Sequence, residues 1–337
     1  MHMKRNVITC LSLVLSLFLT AQEIHSPAEI IKIMEASKLS YSIKILEKKL
    51  ECQDYSKRLN YHDVYRVQDG DQLKTNNIKP NKKAASFLSK AEKYFQLNEL
   101  DSALAFYQYT LNADSTVYTA MTYIGQIYGI RKDYPNAILW YKKAIRKNYI
   151  DYMAHWFLAD IYTSTNRVND AVDEIVIAKI LNRNNPRIQN AMEAIFTKAK
   201  IHYEDWCFNP QYELGKNADS SINVTADEKW LGFALVKAVW EYEPGYRESM
   251  GVAKNNYAII EDRESIISLY MGLTNSKTKF NKDPQFKVLK KALDEKFMDP
   301  YIIYEIILPK TPSAAYQLSE EVINLMKEYV LKIRCAK

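Results

Sequence analysis

Glycine and proline are scarce, at 8 and 10 residues in a chain of 337. Sandwiches and barrels need tight turns at short intervals, so this shortage disfavours an all-β fold. Cysteine is scarcer still: Cys10, Cys52, Cys207 and Cys335 are spread over the whole chain. Such spacing is no disulfide framework, although one pair could form after export. No long block of like charge appears, and 46 basic against 40 acidic residues give a formal charge of +6. That balance argues only weakly for nucleic acid, and none is expected as a partner.

Catalytic signatures are equally sparse. The phosphate-binding glycine loop, the dinucleotide fingerprint, the nucleophile elbow and the two-histidine zinc helix are all missing. Ser276 and Lys279 have the spacing of a penicilloyl-serine enzyme, but no Lys-Thr-Gly follows. His202-Tyr203-Glu204 has the histidine and glutamate of a zinc deaminase without the paired cysteines. Cys207 nearby could suggest a metal, but a polar helix end explains these residues more simply. No catalysis, cofactor or metal is expected.

One segment is strongly apolar. Lys4 and Arg5 precede a charge-free run from Val7 to Ala21. It falls short of the roughly 20 residues that a bilayer-spanning helix needs, and is shaped like a secretory leader. Cleavage after Ala21 removes two of the 46 basic residues, leaving 44 against 40 acidic, or +4, with Gln22 first. Residues 22–83 then read as a helix opened by the capping box Ser26-Pro27-Ala28-Glu29, followed by a mostly loop segment. Within it, residues 39–50 fit a strand and a helix equally well, and Asp69-Gly70 marks a turn.

What the chain does have is a period. Ala91, Gly125 and Ala159 stand 34 apart, as do Tyr94, Tyr128 and Tyr162. So do Ala103, Ala137 and Ala171, and likewise Thr110, Ala144 and Ala178. Tyr107, Tyr141 and Ile175 keep the same register. A repeat of this length is one helix–turn–helix unit that cannot bury its apolar face alone. Small residues let its two helices, and the next unit, approach closely; the aromatic columns fill the space around those contacts.

These columns resemble the tetratricopeptide (TPR) signature, best over 118–151 with Ile124-Gly125, Tyr128, Ala137, Tyr141 and Ala144. Units are expected at 84–117, 118–151 and 152–185. Phe87, Met121 and His155 stand where Trp is usual, and Ser115, Tyr149 and Arg183 where Pro is usual. Residues 186–204 are expected as a lone capping helix, with Asn185 as N-cap and Pro186 in its first turn, because Glu193 occupies the small column. Residues 205–337 read as a C-terminal helical region, with helices near 230–242, 256–272, 284–298, 300–308 and 316–333 forming a bundle. The expected fold is therefore all-α: a TPR superhelix with a C-terminal helical bundle.

Together with the leader, the resemblance is to exported TPR proteins of Gram-negative bacteria. It implies a scaffold or adaptor for a protein or peptide partner in the periplasm or associated with outer-membrane complexes. In such arrays the first helix of each unit lines a groove. On the repeat frame that groove holds Leu88, Glu92 and Phe95, then Tyr123, Gln126 and Ile130, then Met153, Trp156, Phe157 and Asp160. TPR domains that capture chaperone tails place Lys and Asn at such positions; this aromatic, faintly acidic set suits an apolar or basic segment instead. The flanking segments could also fill it. A competing site is the cluster of Trp240, Tyr242, Tyr246 and Arg247 with Glu241, Glu243 and Glu248, where aromatics beside carboxylates would suit carbohydrate binding or processing.

Overall fold

The computed structural model describes residues 24–60, 64–69, 72–253, 257–276 and 280–336. The expected leader, residues 1–21, lies outside the described residues, as do Gly70 and Lys279. In chain order come α1 (Pro27–Ala36), β1 (Tyr41–Ile45) and a hairpin of β2 (Val64–Asp69) and β3 (Gln72–Asn77). Three helix pairs follow: α2 (Lys82–Gln96) with α3 (Leu100–Ala113), α4 (Tyr118–Ile130) with α5 (Tyr134–Lys147), and α6 (Tyr152–Ser164) with α7 (Val168–Leu181). After them stand α8 (Pro186–Ala199), β4 (His202–Tyr203), β5 (Tyr212–Lys216) and β6 (Ile222–Ala226). Next are α9 (Leu231–Tyr242), α10 (Tyr246–Ser249), α11 (Ile259–Asn275), α12 (Pro284–Asp294) and α13 (Met298–Tyr301). The π-helical turn Ile302–Ile307, α14 (Leu308–Lys310), α15 (Glu320–Tyr329) and β7 (Cys335–Ala336) complete the chain. Helix dominates, as expected.

The chain divides into two compact units: residues to Gln53 with Trp206–Ile302, and Asp54–Asp205 with Ile303–Lys337. The second contains the repeats. Asn98, Lys132, Asn166 and Lys200, 34 apart, all take the left-handed conformation, with φ of 58–60°. Each ends the first helix of its unit by the same pair of bonds. Asn98 N donates to Phe95 O and Glu99 N to Tyr94 O, and the pattern recurs from Lys132 and Asp133, Asn166 and Arg167, and Lys200 and Ile201. This Schellman closure satisfies carbonyls that a helix end leaves open. Because α8 keeps it, the repeat geometry persists one helix past the third pair.

The repeat columns are buried as their chemistry requires. Ala91, Ala103, Ala137, Ala144, Ala159, Ala171, Ala178 and Thr110 are fully enclosed. Gly125 is needed outright, because a Cβ there would meet the Tyr141 ring at 2.8 Å. Tyr162 is buried, while Tyr94 and Tyr128 are half-buried. One further column shows where the array starts: Ile124, Leu158 and Met192 are fully buried, but their equivalent Lys90 is exposed and lies 5.5 Å over Phe106. A charged residue at the position that would face a preceding unit makes α2 the terminal repeat helix.

His155, in place of a core Trp, is buried with Nδ1 2.6 Å from Glu174 and Nε2 3.0 Å from the Tyr149 carbonyl. Both ring nitrogens are occupied, so it is a packing residue.

Three boundaries differ from the sequence reading. Val64–Asp69 and Gln72–Asn77, expected as loop, pair as β2 and β3, with Val64 opposite Asn77. Tertiary bonds hold this polar stretch: Tyr118 Oη and Asn148 Nδ2 both donate to Val64 O, and Thr75 Oγ1 donates to Tyr316 O. The ambiguous stretch after α1 is a strand. Its partner β6 runs parallel, Tyr41 opposite Ile222, and β5 pairs antiparallel on the other side of β6. Alternate residues Ile222, Val224 and Ala226 face the core with Ile30, Val236 and Val239.

The third difference is that residues 205–337 are not one body. Helices α9 to α13 belong with α1 and the sheet, whereas Ile303–Lys337 returns to the repeats, α15 packing on α7 and β7 pairing with β4. The helices were legible, but pairings between distant parts of the chain leave no local periodic signal.

Candidate functional site

In the repeat unit α2, α4 and α6 are the first helices of their pairs, and their groove-facing residues stay accessible. Leu88, Phe95, Tyr123, Gln126, Met153, Trp156 and Phe157 are half-buried; Glu92, Ile130 and Asp160 are exposed. The same helices are otherwise deeply enclosed, with Ile124, Ile127, Leu158 and Ala159 out of reach of solvent. Accessibility therefore follows one stripe, as expected of an amphipathic helix whose polar-facing side is left open.

The floor of that stripe repeats. Tyr107, buried on α3, stacks beneath Tyr123 of the next first helix at 5.3 Å and 3°. One unit on, buried Tyr141 of α5 supports Phe157 at 6.2 Å. Phe95 meets Tyr123 edge-on at 5.6 Å, and Trp156 lies 5.4 Å from Phe157. Aromatic rings braced from below present large rigid surfaces at little entropic cost. The Trp156 Nε1 is buried and donates to no group among the described residues.

Polar groups run along this floor at the repeat period. Glu92, Gln126 and Asp160 occupy the same turn of α2, α4 and α6. Asp160 keeps accessible surface, yet the protein packed around it desolvates the carboxylate and raises its pKa to about 6. The sign follows directly: above the ordinary carboxylate value near 4, the folded state holds the proton more tightly than the unfolded chain. Stability from this group is complete at low pH and is lost as pH rises through about 6, so the ionised carboxylate burdens the fold at neutrality.

The flanks bound the groove at one edge. Val64 and Tyr316 close over the starts of α4 and α6, lining with Tyr123 and Met153 a cavity of about 20 Å³. That is room for about one water. Asp151 caps α6 there, accepting from Thr122 Oγ1 at 2.6 Å and from the amides of Met153 and Ala154.

The competing carbohydrate patch does not survive as a stacking surface. Trp240 is 1% exposed and Tyr246 5%. Both point inward, Trp240 Nε1 and Tyr246 Oη donating to the buried carboxylate of Glu264 at 2.5 and 3.0 Å. A sugar platform needs a ring face open to solvent, and the Trp240 face carries Arg247 at 5.3 Å. Of the patch's three carboxylates Glu243 is engaged, accepting from Ser37 and Tyr41, and Arg247 is held by Glu261.

Cys207 forms a disulfide with Cys52, which removes it from any metal set with His202. Among the described residues no group of His, Cys, Asp or Glu could hold a metal ion, and no helix is long and apolar enough to cross a membrane. The sequence did not reveal this pairing, nor the buried carboxylates Glu264 and Glu305, whose partners are distant in the chain.

No family model and no curated protein matches the chain. Among solved structures it is similar to the first TPR of Spaghetti (RPAP3) bound to the HSP90 peptide SRMEEVD, at 20% identity, 36% of this chain, 97% of that one and a TM-score of 0.34. YrrB, described as a TPR protein with an unusual peptide-binding site, matches at 18% identity over 71% of this chain and 94% of its own, TM-score 0.33. A tetratricopeptide repeat protein from Parabacteroides merdae matches at 11% identity over 74% and 100%, TM-score 0.31.

Proposed function

We propose that this chain is a non-catalytic TPR adaptor whose groove along α2, α4 and α6 binds a peptide segment of a partner protein. The observation that carries the reading is the accessible stripe Tyr123, Trp156 and Phe157, its rings braced by Tyr107 and Tyr141 within an otherwise enclosed array. Interface energy concentrates in such anchored aromatics. Trp156→Ala will therefore weaken binding by about 2 kcal/mol, roughly thirtyfold. The check is fluorescence anisotropy against peptides selected from a random display library, with circular dichroism to establish that the variant is folded. Equal affinities for wild type and variant would place binding elsewhere.

We further propose that the protein acts after export, in the periplasm or at the outer membrane. Two features support this: the basic and apolar start of the chain, and the Cys52–Cys207 disulfide, a bond that persists in oxidising compartments and is rare in reducing ones. Intact mass spectrometry of protein from the cell envelope should give a chain beginning at Gln22 and two hydrogens lighter than the fully reduced form. An intact Met1 would contradict cleavage, and free thiols at Cys52 and Cys207 would contradict the oxidising location.

A further inference from the structure

The two ends of the repeat array differ. The accessible side of α8 carries Asn190, Glu193, Thr197 and Lys198, all exposed, the polar outer surface that such an array needs where it stops. At the other end α2 presents Lys83, Phe87, Lys90 and Tyr94, at intervals of four, three and four residues along one side of the helix. In the later units α4, α6 and α8 each pack on the second helix of the unit before, and Ile124, Leu158 and Met192, the equivalents of Lys90, are fully buried there. On α2 the same stripe stays open: Lys83 and Lys90 are exposed, Phe87 and Tyr94 half-buried. Phe87 meets Phe106 at 6.2 Å and the exposed Tyr109 at 5.6 Å, so the face is a rigid cluster of rings with two lysines on its rim. A helix occupies this place in every later unit, and a helix is the shape that fits it here.

Charge selects the helix. It must bring carboxylates to Lys83 and Lys90 and an apolar side chain to Phe87. Among the described residues, one exposed large apolar side chain on a helix has a carboxylate one turn away on both sides. It is Leu325 of α15, 45% exposed, with Glu321 four residues before it and Glu328 three after. Elsewhere Ile31 has Glu35 alone, Leu139 has Lys142 and Lys143, and Met271 has no charge one turn away. Val322, Ile323 and Met326 are buried on the side of α15 that packs on α7, which leaves the Glu321–Leu325–Glu328 stripe facing outward. Glu328 pairs with Lys332 at 3.1 Å, an exposed pair of little strength. The two stripes share their intervals of four and three, so parallel helices set Lys83 against Glu321, Phe87 against Leu325 and Lys90 against Glu328. Antiparallel helices oppose the same charges, Lys83 to Glu328 and Lys90 to Glu321.

Both stripes are open in a single chain, so their meeting takes two. We infer that copies of this chain associate through them, α15 of one copy lying along α2 of the next. The glutamates pair with the lysines, and Leu325 packs on the rings of Phe87 and Tyr109. The two surfaces differ, so the contact is heterologous: it closes a ring or runs on as a row of copies. It uses no residue of the groove and stands independently of what the groove binds.

The test is sedimentation velocity on the protein as its cells process it, from about 1 to about 200 μM. Wild type should sediment as monomer and larger species in proportions that follow concentration, and added salt should shift them toward monomer. Lys83→Glu with Lys90→Glu, or Glu321→Lys with Glu328→Lys, sets like charges face to face and should weaken self-association at least about tenfold. An equimolar mixture of the two variants should recover it, as should one chain carrying all four substitutions. Leu325→Ala, which changes no charge, should weaken it at least about threefold. Every altered side chain is exposed, so far-ultraviolet circular dichroism should match wild type. A wild type that stays monomeric throughout overturns the inference. So does self-association that the charge variants leave intact, or a loss that the mixture and the fourfold variant both fail to recover.

Discussion

Glu305→Ala will destabilise the repeat unit by about 3–5 kcal/mol, the range for removing one partner of a buried ion pair. Glu305 is almost fully enclosed on the π-helical turn. It accepts from Tyr329 Oη at 2.8 Å, pairs with Arg334 Nε at 3.1 Å and lies 3.6 Å from Arg183. Arg183 also lies 4.2 Å over the Tyr304 ring, and Arg334 lies 4.7 Å over that of Tyr203. Burial, and then the neighbouring Arg183, hold Lys179 well below the usual lysine range. Alanine would take from two buried guanidinium groups the Glu305 carboxylate that lies beside both. At roughly 2–4 °C per kcal/mol for a unit of this size, the melting transition should fall by roughly 6–20 °C. Tyr329→Phe, which removes a single donor, should cost only about 1 kcal/mol. Equal losses for the two variants would mean that charge compensation is not what Glu305 provides.

Glu264→Ala should be comparably severe in the other unit, at about 3–5 kcal/mol, because it strips the acceptor from several buried donors at once. The carboxylate takes His25 N at 2.8 Å, Trp240 Nε1 at 2.5 Å and Tyr246 Oη at 3.0 Å, with His25 Nδ1 also 3.0 Å away. It thereby joins His25, two residues before α1, to α9, α10 and α11. Denaturant unfolding followed by near-ultraviolet circular dichroism, where Trp240 and Tyr246 contribute, reads the loss. Protease should also cut at His25–Ser26 in the variant faster than in wild type. A midpoint within error of wild type would mean that water replaces the carboxylate without cost.

Neither carboxylate stood out beforehand, and the reason is physical. Glu305 lies inside the apolar run Ile302-Ile303-Tyr304-Glu305-Ile306-Ile307, a local hint of a buried charge. Its partners Arg183, Tyr329 and Arg334 come from other parts of the chain, and no spacing rule links them. The repeats were legible for the opposite reason: their contacts recur once in every unit, so each column is evidence for the others. The capping box was equally local, and Ser26 and Glu29 make both of its reciprocal bonds. A further periodic signal lies in the column Asn98, Lys132, Asn166 and Lys200, which carries the left-handed turns. Strands β5 and β6 are short, and the sheet they form is completed by β1, which pairs with β6 from far upstream in the chain.

The residues that the repeat frame assigns to the groove are half-buried or exposed on α2, α4 and α6, because a TPR frame gives each position an orientation. What the frame could not supply was the bracing of Tyr123 by Tyr107 and of Phe157 by Tyr141, or the desolvation of Asp160. The carbohydrate reading failed where composition is blind to direction: the same Trp and Tyr serve a sugar platform or a core, and here Glu264 draws both inward.

The most direct test of peptide binding in the groove is site-specific photo-cross-linking of a library-selected peptide, with benzoylphenylalanine placed in turn at Tyr123, Phe157 and, as an outer-helix control, Leu139. Leu139 is exposed on α5. Cross-links from positions 123 and 157 to peptide residues about three apart, with none from 139, are the predicted result. Labelling from 139 alone, or equal labelling from all three, would contradict it.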